Sequence, residues 1–153
     1  MNQHDYIQAV DEMKIPASKV LEWANVIADK YYHHYSEIIR QNHDQARERF
    51  DRIAETSQRL VDMIPQIQEQ LRSDQTDSDT LGIFVHILAG PIMTMNTDTK
   101  NILLLPFWHP EKEQTEDEKE HIRYIKKINS AIDYLSSLDR DVILKRMLDR
   151  LDE

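Results

Sequence analysis

The sequence contains no cysteine. That excludes disulfides, zinc–thiolate sites and a cysteine nucleophile, and it suits a reducing compartment. Glycine occurs twice and proline five times in 153 residues. A sandwich or barrel needs more turn formers than that. A Gly-rich phosphate loop and a Gly-x-Ser-x-Gly elbow are both missing, so phosphate cradling and serine hydrolysis lack a sequence basis. Basic charge is also short. The formal net charge is −9, whereas duplex binding needs a basic face. The opening "MNQHDYIQAVDEM" has neither the basic start nor the apolar run of a signal peptide. The most apolar stretch, "LGIFVHILAGPIMTMNTDTKNILLLPFW", is interrupted by "NTDTKN", which breaks the ~20-residue run a membrane span requires. These absences predict a cytoplasmic protein that engages neither nucleic acid nor membrane.

What is present reads as helix. The length suits one domain over 1–153. Residues 3–13 predict a short helix ending before Pro16, which is well placed to open the next one. Val20, Ala24, Ile27, Tyr31 and Ile38 then recur at alternating spacings of three and four, with His34 in the gap. That is one buried stripe. Ala46, Phe50, Ile53, Ser57, Leu60, Ile64, Ile67 and Leu71 repeat the rhythm, and the stripe continues past Pro65, which should kink this helix rather than end it. Between the two, Asn42 and Gln45 have capping-box spacing, which predicts a reversal at "RQNHD". The alternative is one rod over 16–72, about 85 Å long at ~1.5 Å per residue, pairing as a homodimeric coiled coil.

A polar loop over 73–80 leads to a buried third helix, bent at Gly90-Pro91. Gly82 and Gly90 share a face with His86, where two missing side chains would admit a close neighbour. Thr115 and Glu118 form another capping box. Ile122, Ile125, Ile128, Ile132 and Leu135 carry the fourth stripe, and Asp139 is placed to cap a short final helix. The expected architecture is an all-α, up-down-up-down four-helix bundle with short additional helices at both termini.

Two candidate sites follow. "DKYYHHYSE" looks dense in ligands, but Asp29, His33 and Glu37 point away from the stripe, where i,i+4 pairing on a solvated face accounts for them. His34 lies inside the stripe, and a buried imidazole needs a partner. Glu118 and His121 have Glu-x-x-His spacing on the inward face. Up-down topology would bring His34, Glu118 and His121, with His43 and His109, to one pole. Imidazole and carboxylate together suit zinc, nickel or iron. A di-iron centre needs more inward carboxylates and a second Glu-x-x-His. "ERFD" lacks the paired glutamates that a magnesium pyrophosphatase would place upstream. Both His-Asp pairs lie in polar surroundings.

The second candidate is a partner surface. Phe107 and Trp108 stand between Pro106 and Pro110, next to His109. A stiff loop presents aromatics at low entropic cost, and such anchors typify interface hot spots. The acidic run over 111–120 favours a basic partner. Trp23 lies at the edge of the first stripe. The expected function is protein binding by an adaptor, regulator or inhibitor. The competing expectation is a metal-binding or metal-dependent bundle.

Overall fold

The computed structural model describes residues 2–33, 37–73, 77, 82–83, 85–104 and 109–152, without the side chains of 30–46. Four long helices account for most of them: α1 (Gln3–His33), α2 (Glu37–Leu71), α3 (Ala89–Leu103) and α4 (Glu116–Leu151). A single 3-10 turn, Glu111–Glu113, precedes α4. Each helix packs on two others, in the cyclic order α1, α2, α3, α4. Among the described residues there is no strand, and no helix is long and apolar enough to cross a membrane.

Cross-helix contacts set the directions. Gln3 Nε2 donates to the Leu71 carbonyl, and Gln68 donates to Asp11. The start of α1 therefore lies beside the end of α2. Arg52 clasps Asp98 from α2 to α3, its Nε and Nη2 at 3.0 and 2.7 Å from the two carboxylate oxygens. Lys100 Nζ reaches Asn129 and Asp133 on α4 at 2.9 and 3.0 Å. Neighbours are antiparallel throughout, the up-down bundle expected from short connections.

The core is built from heptads. On α1, Tyr6, Val10, Met13, Ala17, Val20, Ala24 and Ile27 are all buried. On α2, Phe50, Ile53, Ser57, Leu60, Ile64, Ile67 and Leu71 are buried. Alternating three–four spacing is the signature of bundle packing with interdigitated side chains. Each fully buried Ile or Leu contributes about 1.5–3 kcal/mol by leaving water.

Three boundaries differ from expectation. First, α1 is continuous from Gln3 to His33 with Pro16 inside it. No separate N-terminal helix exists, because the Tyr6–Ile27 stripe keeps its phase across the proline and core burial outweighs one lost backbone hydrogen bond. Second, α1 ends at His33 and the antiparallel α2 begins at Glu37, so Asn42 lies within α2. A cap is worth about 1 kcal/mol. Two helices of 31 and 35 residues bury long stripes against each other, Tyr6 to Ile27 and Phe50 to Leu71, and that outweighs it. The long rod over 16–72 is excluded. Third, α4 runs unbroken through Asp139 to Leu151. No short C-terminal helix exists, because Asp139 occupies a core position: 118, 121, 125, 128, 132, 135, 139 and 142 form one buried row.

The bend before α3 is where the prolyl ring requires it. Pro91 has no N–H for the Ile87 carbonyl, and its ring crowds that carbonyl. Ile87 and Leu88 form a turn, with Leu88 N bonded to Val85 O at 3.1 Å, before α3 begins. Only one of the two glycines admits a neighbour. A Cβ at Gly82 would collide with the Arg146 guanidinium of α4, whereas nothing lies within 4 Å of one at Gly90.

Candidate functional site

At the pole where α4 begins, Thr115 Oγ1 accepts from Glu118 N at 3.2 Å. This is one arm of the expected capping box. The second arm is diverted. The Glu118 carboxylate does not return to Thr115 but holds the preceding loop: Oε1 accepts from His109 N at 2.9 Å, and Oε2 lies 3.2 Å from His109 Nδ1. Gln114 Nε2 donates to the His109 carbonyl at 2.8 Å and closes the same loop. Glu118 has no exposed surface, while the His109 side chain is 39% exposed. A carboxylate at the first turn of a helix also meets the positive end of the dipole.

His121, one turn further on, is fully buried. Its ring centroid is 5.8 Å from that of Phe50 on α2, tilted by 59°. The topology thus brings His109, Glu118 and His121 to one end, as the sequence implied. They do not converge on a common point. Among the described residues no three histidines, aspartates or glutamates are grouped as metal ligands, and both Glu118 oxygens already face His109. A zinc, nickel or iron site here would have to draw on ligands beyond those described. His34, Phe107 and Trp108 lie outside the described residues, and His43 is a helical position of α2 whose side chain is not described. Asp29 is exposed and lies with His33 on α1, whereas Glu37 belongs to α2, so the three do not form one helical row.

A third polar core position lies towards the other end. Asp139 is buried, and its Oδ1 has no hydrogen-bond partner among the described residues. Burial pushes its carboxyl above the usual range, and the nearby His86 opposes that shift.

A further open feature lies elsewhere, between α1 and α4. It is a trough of about 540 Å³. Ile15, Pro16, Trp23, Ala131 and Tyr134 make its floor and walls, and Lys19, Arg123, Lys126 and Lys127 rim it. No carboxylate lines it. Ile15 and Tyr134 are 72% and 50% exposed, two of ten large hydrophobic side chains left exposed among the described residues. Lys127 Nζ stands 5.8 Å from the Trp23 ring centroid and 5.2 Å from that of Tyr124, a cation–π arrangement that fixes both rings. Lys19 pairs with Glu22 at 3.1 Å. Arg123 and Lys126 make no ion pair among the described residues, and both also border a more polar depression reaching Glu111 and Gln114.

The chain matches no protein-family model, no characterised protein and no solved structure. Function therefore has to be read from these features alone.

Sequence reasoning placed Trp23 at the edge of a stripe but missed the trough. The signal was there. Arg123, Lys126 and Lys127 fall at i, i+3 and i+4, and Ile15 stands one residue before Pro16. Breaking α1 at Pro16 hid that Ile15 and Trp23 share a helix, two turns apart. Only the closure of α4 onto α1 brings the two sets together.

Proposed function

We propose that this protein acts by binding another protein, as an adaptor, regulator or inhibitor, and that the partner docks in the α1–α4 trough. One observation carries the reading. An apolar depression walled by Trp23 and Tyr134 and rimmed by bases stays open to solvent between α1 and α4. Its volume is within the range of ligand sites, about 300–1,000 Å³, but a small-molecule site encloses most of its ligand, whereas this one is a trough along two helices. Trp23, Tyr134 and Arg123 are of the residue types that recur at interface hot spots. The exposed acidic residues around the start of α4, Glu111, Glu113, Glu116 and Asp117, do not line the trough, although Glu111 borders the neighbouring depression that Arg123 and Lys126 share.

The test is photocrosslinking in cells of the source organism, with p-benzoylphenylalanine at Ser130 on the trough wall or at Gln66 on the outer face of α2. The expected result is a discrete crosslinked protein from Ser130 that disappears in the I15S/Y134S variant. Both replaced side chains are exposed, so the fold should tolerate the change. A crosslink from Gln66 alone, or one from Ser130 that survives I15S/Y134S, would overturn the reading.

A further inference from the structure

Building on the docking reading, we infer that the segment occupying the trough is an acidic amphipathic helix of about three turns. Length is the first argument. The trough runs from Ile15 to Trp23 on α1, about 12 Å, and from Arg123 to Tyr134 on α4, about 17 Å, at ~1.5 Å per residue. A helix of about 11 residues spans that distance. Laid between α1 and α4, it would present apolar residues at i, i+3, i+4 and i+7 to the floor.

Charge is the second argument. The chain carries 28 acidic and 19 basic residues, yet the trough is lined by four bases and no acid. Local charge opposite to the bulk selects an occupant whose flanks are acidic, and it repels a basic one. The bases cluster at one end, around Trp23, and the uncharged Ile15 and Tyr134 mark the other. The acids of the partner helix therefore concentrate over Arg123 and Lys126, and its largest apolar anchor sits between Ile15 and Tyr134.

A second copy of this chain does not supply such a helix. The exposed acidic row of α2, Glu48, Glu55, Asp62 and Glu69, includes no exposed large apolar side chain. The exposed apolar row of α4, Leu144, Met147, Leu148 and Leu151, is interleaved with Lys145, Arg146 and Arg150 as well as Asp149. Neither of these two described faces combines an acidic excess with exposed apolar side chains, which favours a different protein as the occupant.

The test uses the full chain and two synthetic peptides of about 18 residues, long enough to cover the trough. Both carry Leu and Phe at helical spacing. One bears Glu and Asp at its remaining positions, and its twin bears Lys. Binding is followed by fluorescence anisotropy of the labelled peptide. The acidic peptide should bind with saturation. Affinity should fall at least about tenfold in R123E/K126E, which reverses two charges at the rim. It should also fall with added salt, as screening requires. The lysine twin should not bind. Equal binding of the twin, an unchanged affinity in R123E/K126E, or no binding of either peptide would overturn the acidic assignment while leaving the Ser130 crosslink intact. Acidic-peptide binding that survives I15S/Y134S would instead place the contact outside the trough and overturn the docking reading itself.

Discussion

Removing the Glu118 side chain measures what the diverted cap does. Glu118→Ala deletes an acceptor that serves His109 N at 2.9 Å and His109 Nδ1 at 3.2 Å from a position with no exposed surface. Hydrogen bonds to a charged group are worth about 1.5–3 kcal/mol each, and a first-turn carboxylate adds up to ~1 kcal/mol against the dipole. Desolvation of the buried carboxylate opposes both, at several kcal/mol. The loss of acceptor leaves the His109 amide unsatisfied and opens a void, so the balance should still be destabilising by about 2–4 kcal/mol. Glu118→Gln keeps the shape and one acceptor and should cost about 1–2 kcal/mol. His109→Ala retains the backbone bond and should cost less than either. For a chain of this size, ~1 kcal/mol corresponds to about 2–4 °C in Tm. Urea titration followed by far-UV circular dichroism reads the order directly, with slopes unchanged. A Glu118→Ala protein as stable as wild type, or more so, would refute the reasoning. It would show that desolvation dominates and that the strap adds no net stability.

The other predictions concern buried charge, the glycines and metal. Burial raises the Asp139 carboxyl in the folded state, so folding is favoured at low pH, where the group is neutral in both states, and weakens as pH climbs through the folded value. Asp139→Asn should therefore gain stability over wild type as pH rises from about 3 towards 7, with no gain at the acid end; pH-dependent urea midpoints check this. Gly90→Ala should stabilise α3 by about 0.5–1 kcal/mol, since nothing approaches that position. Gly82→Ala should gain less, or lose, because the Arg146 guanidinium must move aside; thermal melts of the two variants should separate them. Zinc, nickel or iron(II) added to the chelator-treated protein should leave Tm unchanged. A rise of several degrees would bring ligands from beyond the described residues into play and revive the metal reading.

The four stripes and their antiparallel order were legible because core burial repeats every three to four residues and leaves its period in the sequence. Boundaries were harder. Pro16, Asn42 and Asp139 each carry a strong local signal for an end, and each lies inside a helix. The heptad phase running unbroken through 6, 10, 13, 17 and 20, and through 132, 135, 139 and 142, was the better guide. Local preferences of about 1 kcal/mol yield to a row of buried side chains. For the pole, the spacing of Glu118 and His121 correctly predicted burial. It did not reveal that Glu118 would turn back to His109, since that bond depends on how the 109–115 segment folds. The trough was legible only as two unconnected halves. Its walls come from residues about 100 positions apart, and no local pattern records which two helix faces will meet.

That separation has a consequence for the protein in use. Trp23 and Arg123 line the same trough only after α2 and α3 have carried the chain across and back. A ribosome that has not yet delivered α4 presents half a trough, and a proteolytic cut that releases α4 erases it. A molecule bound there would sense the integrity of the whole bundle, and by mass action its binding energy would add to the stability of every helix.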